Sequence, residues 1–110
     1  MILFKPEHAA PILAGTKTQT RRMGKRRWKV GSVHKCYTRP PFAKGGAEPF
    51  ASVEIIGVRP EHLRDITMAD AIAEGYTGPG TFLRAFYDIN RMASDADPLV
   101  WVVEFELVTP

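Results

Sequence analysis

The order of apolar and polar positions divides this chain into short strands and helices. Ile2-Leu3-Phe4 is a brief apolar run that ends at Lys5-Pro6 and predicts an opening strand. Pro6 suits the first turn of a helix, where its missing N–H has no helical partner. That helix would run through Ala9, Ala10, Ile12 and Leu13 and stop at Gly15, with Pro11 kinking or shortening it. After Gly15 the period changes to two. Thr16, Thr18 and Thr20 alternate with Lys17, Gln19 and Arg21, as in a strand.

Gly24 and Gly31 bracket a loop holding Lys25, Arg26, Arg27, Trp28 and Lys29, and Val33–Thr38 predicts the next strand. Pro40-Pro41 ends it, and Lys44–Pro49 reads as a connection. Phe50–Val58 is again a strand, with Ala51, Val53 and Ile55 on one face. Asp65-Ile66-Thr67 opens a helical stretch that Gly75 stops, and Thr77-Gly78-Pro79-Gly80 predicts a loop. Phe82, Leu83, Phe86, Tyr87 and Ile89 then form the apolar stripe of a helix. Leu99–Leu107 is too apolar for an edge and predicts a central strand. Helices set between strands in this number imply a small α+β barrel and not a doubly wound sheet.

Composition bounds the possibilities. A chain of 110 residues makes one domain, and 45% hydrophobic with 25% charged residues is ordinary for a globular protein. No apolar run is long enough to span a bilayer, and the first residues lack a signal peptide's apolar segment. The single Cys36 cannot form an internal disulfide, so the cytoplasm is the expected compartment. No Cys or His pair has metal-ligand spacing, and neither a metal nor another cofactor is expected.

Charge changes the picture more. Residues 8–47 hold ten of the fifteen Lys and Arg and no acid, whereas the rest holds five bases and all twelve acids. The net charge of +3 thus conceals +10 against −7, which implies an anionic partner for one surface. Within the basic half, Lys17 beside Thr18 and Thr20 is a chemically capable set. A lysine desolvated among cations loses basicity, and a hydroxyl beside it can act as a nucleophile. The same cations could instead be a solvated polar strand. Arg21, Arg22, Arg26 and Arg27, with Trp28, Tyr37 and Arg39, could grip a nucleic-acid backbone and stack a base, or Trp28 could be core. Phe82, Phe86 and Tyr87 have the spacing of core residues. A mid-strand Cys36 reads as buried and inert.

The run Ile12–Arg22 resembles the signature of the ASCH domain family, whose pattern of glycine, lysine and arginine falls here on Gly15, Lys17 and Arg22. Trp28–Val33 resembles that family's turn into its next strand, with Ser32 where Asp is usual, and Trp101–Phe105 resembles its closing strand. The resemblance implies a PUA-like β-barrel of about five to six strands with two to three short helices. The small bacterial N4-acetylcytidine amidohydrolases of this family use a lysine, a threonine and a distant glutamate, which match Lys17, Thr20 and Glu74. Gly15, Thr18, Arg21 and Arg22 would then help hold a modified nucleoside. The basic loop departs from that branch, which is acidic there, and the layout is also similar to ASCH proteins of phages and prophages. A non-catalytic RNA-binding module is the alternative implied, and no membrane partner is expected.

Overall fold

The computed structural model describes residues 1–108. Strands β1 (Ile2–Leu3), β2 (Gln19–Arg22), β3 (Val33–Tyr37), β4 (Ala51–His62) and β5 (Leu99–Leu107) form one sheet in the order β1-β3-β4-β5-β2. β1 pairs with β3 in parallel, and the other pairs are antiparallel. The sheet curls into half a barrel, with α1 (Ala9–Ala14), α2 (Met68–Ala73) and α3 (Pro79–Asn90) between its strands. Among the described residues, no helix is long and apolar enough to cross a membrane.

β5 lies inside the sheet between β4 and β2, as its apolar sequence requires. Its alternate residues serve two cores. Val103 and Phe105 join Ile2, Phe4, Ile12, Trp28, Cys36, Val53 and Ile55 in one cluster. Val100 faces the other way, into a cluster of Leu63, Ile66, Ala71, Phe82, Phe86 and Tyr87 beneath the two later helices. Burying each large aliphatic or aromatic side chain contributes about 1.5–3 kcal/mol. The curl has a local cause. The β4–β5 register slips between Ile55 and Gly57, leaving Ile56 as a bulge, and a bulge bends and twists its strand.

Three sequence expectations are corrected. β4 continues past Val58 to His62 despite Pro60, because β3 pairs only with Ala51–Glu54. Pro60 therefore lies where one side of β4 is already an edge and a missing N–H is tolerated. Pro79 and Gly80 are not loop but the first turn of α3, the favoured helical site for proline. The alternating run after Gly15 is extended only from Gln19 onward. Residues 16–18 instead turn, with both Thr16 and Lys17 N–H groups donating to the Pro11 carbonyl at 3.0 and 3.1 Å. Pro11 itself lies in the first turn of a helix only six residues long, consistent with the expected shortening.

Thr67 caps α2, accepting the Asp70 N–H on its hydroxyl at 3.1 Å. Because α2 carries Asp70 and leads to Glu74, this cap supports the site as well as the helix. Thr67→Ala should lower stability by about 1 kcal/mol, and Thr67→Ser should restore most of it, as read from urea midpoints.

Candidate functional site

The turn after α1 sends Lys17 inward. Thr18, one residue on, is pinned on both backbone groups: its N–H donates to Ala73 O at 2.8 Å and its carbonyl accepts from Phe105 N at 3.0 Å. Lys17 is 2% exposed, and its Nζ donates to Glu74 Oε1 at 3.1 Å, Glu74 O at 2.5 Å and Gln19 O at 3.0 Å. Those three acceptors match the three donors of an ammonium group. Burial pulls the Lys17 pKa below the usual lysine value, opposed by the charge and hydrogen bond of Glu74.

Glu74 is buried at the C-terminal end of α2 and bridges two cations. Its Oε2 accepts from Arg21 Nη1 at 3.0 Å while Oε1 holds Lys17. Gly75 follows with φ +97°, and a Cβ there would stand 3.5 Å from Lys17 Cδ, so the helix end closes directly over the lysine stem. The Arg21 side chain is fully buried and donates further to Gln19 Oε1, Glu61 Oε1 and Asp70 Oδ2 at 3.0, 3.0 and 3.3 Å. Its carbon lies 5.7 Å from the centre of the Phe82 ring, and Arg21 Nε has no protein partner. Arg59 extends the cluster outward to Asp70, Glu61 and Glu104. Burial pushes the Asp70 carboxyl up, but the Gln19 hydrogen bond and the Arg21 and Arg59 charges hold it below its usual value.

Thr20 is also buried, and its Oγ1 accepts from Arg22 Nε at 3.0 Å. The Arg22 guanidinium stands over Phe4, 5.2 Å from the ring centre, and donates to Leu3 O at 2.7 Å. One side chain thereby ties together β2 and β1, the two outer strands of the half-barrel. Lys17, Thr20, Arg21, Arg22 and Glu74 all line a single cleft of about 180 Å³. Phe4, His8, Tyr76, Phe82 and Phe86 form much of its wall. Lys17 and Thr20 share the cleft without a hydrogen bond between them, because the lysine donors are directed to Glu74 and Gln19.

Other expected residues lie elsewhere. Gly15 ends α1 with φ 79°, and Thr18 is exposed. Trp28 is buried in the sheet core and cannot stack on a ligand there, which corrects the base-stacking expectation for it. Tyr37 and Arg39, with the exposed Arg26 and Arg27, are outside the cleft. Cys36 is buried, and burial pushes its thiol up to about 11, an inert state. Sequence reasoning missed Gln19, Glu61 and Asp70 as partners of Arg21, and His8 and Tyr76 on the cleft wall. Concentration of every acid outside residues 8–47 was the available signal for internal pairing. Among the described residues, no three His, Cys, Asp or Glu side chains group as metal ligands.

No family model matches this sequence, and no curated protein does. Solved structures do match. The ASCH domain from Lactobacillus crispatus JV V101 aligns with a TM-score of 0.71 at 17% identity, over 90% of this chain and 69% of that one. The chain has the ASCH fold. Protein EF3133 from Enterococcus faecalis V583, described with the family model DUF984, aligns with a TM-score of 0.68, also at 17% identity. That match covers 93% of this chain and 67% of the other. Within the ASCH fold of this chain, Lys17 precedes β2 and Arg22 ends it, so the two cations enter the cleft from opposite ends of one short strand.

His8 reports on the cleft electrostatics. It packs edge-on against Tyr76 at 5.7 Å, and burial, reinforced by the Lys17 charge, lowers its pKa to about 4. Lys5 and Arg22 push the same way and Glu7 opposes them. Unfolded histidine titrates near 6.5, so between pH 6.5 and 4 the unfolded state binds the extra proton. Stability should therefore fall as pH drops through that window. Melting temperatures measured from pH 7 to 4 should show a shallower fall for His8→Asn than for the wild type.

Proposed function

We propose that this chain is an amidohydrolase that removes the acyl group from N4-acetylcytidine or a related modified pyrimidine. The observation that carries this reading is the convergence of Lys17, Thr20 and Glu74 on one aromatic-walled cleft. Its volume of about 180 Å³ is below the range of roughly 300–1,000 Å³ common for drug-sized ligands, and suits one substituted ring. The proposed compartment is the reducing cytoplasm, in keeping with the single buried thiol of Cys36.

In the proposed reaction Lys17 first passes one ammonium proton to Glu74, Thr20 Oγ attacks the acyl carbon, and the Thr20 proton passes to the Lys17 amine so formed. Desolvation favours that neutral form. Lys17 Nζ must leave the Gln19 carbonyl to reach Thr20 when substrate is bound. Arg22 Nε, already donating to Thr20 Oγ1, favours the developing alkoxide. The carbon–nitrogen bond then breaks, the leaving exocyclic amine takes the proton from Lys17, Glu74 returns its proton to Lys17, and an acyl-threonine remains. Water attacks that ester while Glu74 accepts its proton and returns it to Thr20, releasing the carboxylic acid.

Incubation with N4-acetylcytidine should yield cytidine and acetate in equal amounts. Thr20→Ala should lower turnover by several orders of magnitude while still unfolding cooperatively, at a melting temperature reduced by loss of the Arg22 hydrogen bond. Absence of product from that nucleoside and its acyl analogues, or turnover retained by Thr20→Ala, contradicts the proposal.

A further inference from the structure

Seven of the ten cations in residues 8–47 take no part in the cleft or the buried cluster. Lys25, Arg26, Arg27 and Lys29 lie between β2 and β3, Lys35 on β3, and Arg39 and Lys44 between β3 and β4. All are exposed. Among the described residues none of them pairs with a carboxylate, since every Lys or Arg ion pair uses Lys17, Arg21 or Arg59. The two loops join opposite ends of β3, with Lys35 between them, and the Arg26 guanidinium reaches over Trp101 of β5, 5.9 Å from its ring centre. A five-residue strand rising about 3.4 Å per residue exceeds the reach of one phosphate and fits an extended polyanion.

The same segment carries Phe42, whose 81% exposure is the largest among the exposed large apolar residues. Its loop is shaped from within. Ala43 N donates to Pro40 O at 3.0 Å, Gly46 N to Ala43 O at 2.7 Å, and Arg39 Nη2 to Lys44 O at 2.5 Å. Among the described residues, the Phe42 ring on this basic loop has no aromatic partner. Exposed cations on β3 and its two flanking loops, with an exposed ring, match a single strand of nucleic acid, whose phosphates meet the charges and whose unpaired bases stack. A duplex would offer the ring no free base. The surface also adjoins the cleft: Met23 lines it, and Lys25 follows two residues later.

We infer that single-stranded nucleic acid binds along this arc, with phosphates on its cations and one base stacked on Phe42. Binding here is separate from turnover in the cleft, so either can fail alone. Anisotropy of a labelled single-stranded RNA of about twelve nucleotides tests it. Affinity should fall steeply with salt. Phe42→Ala should weaken binding about tenfold with the salt slope unchanged, whereas Lys35→Gln should reduce the slope by about 0.7. Both side chains are exposed, so both variants should melt like wild type, and Thr20→Ala should bind RNA as wild type does. No salt-sensitive binding, or wild-type affinity in Phe42→Ala, overturns the inference. Retention on phosphatidylserine vesicles without RNA binding overturns it as well and assigns the arc to a membrane surface.

Discussion

The Glu74 carboxylate, held between the buried Lys17 and Arg21, is the interaction on which the site depends. Two cations without water or partners would be too costly to bury, and removing one member of a buried ionic group typically costs about 3–5 kcal/mol. Here the charges come from separate parts of the chain. Lys17 comes from the turn before β2, Arg21 from β2 itself, Glu61 from β4, and Asp70 and Glu74 from α2 or its end. Their hydrogen bonds fasten α2 and its end to β2 and β4, and the cleft is the space left between that helix end, β1 and α3. Its base is ionic and its walls are largely aromatic.

The split of +10 against −7 along the chain thereby resolves into two unlike parts. Lys17 and Arg21 are satisfied by acids from the other half of the sequence, so part of the segregation is complementarity within the molecule. Arg22 joins them at the cleft through neutral partners, Thr20 and Leu3. Among the described residues, the other seven cations remain on the surface without carboxylate partners. A single count of charge joined these groups because burial is a property of the fold, not of the residue type.

Local signals in the sequence specified much of the fold. Gly15 and Gly75 end their helices in the left-handed region, Thr67 caps α2, and the apolar run 99–107 makes an interior strand. Convergence of Lys17, Thr20 and Glu74 was legible only through the family resemblance, since 57 positions separate Lys17 from Glu74. The acidic partners of Arg21 were not legible, because they lie 40 to 53 residues away and no local period relates them. Trp28 and Phe42 illustrate the same limit in loops. Both are aromatic and set among cations, but one fills the core and the other is solvent-exposed. Without regular alternation, the sequence offers no face from which to tell them apart.

A double-mutant cycle on Lys17→Met and Glu74→Gln tests the central claim most directly, with stability read from urea unfolding. If the buried pair is a unit, each single change should be strongly destabilising, and the double variant should be more stable than the sum of the two losses predicts. The expected coupling lies within about 0.5–3 kcal/mol, toward the upper end for a buried pair. Additivity within about 0.3–0.5 kcal/mol would contradict the account.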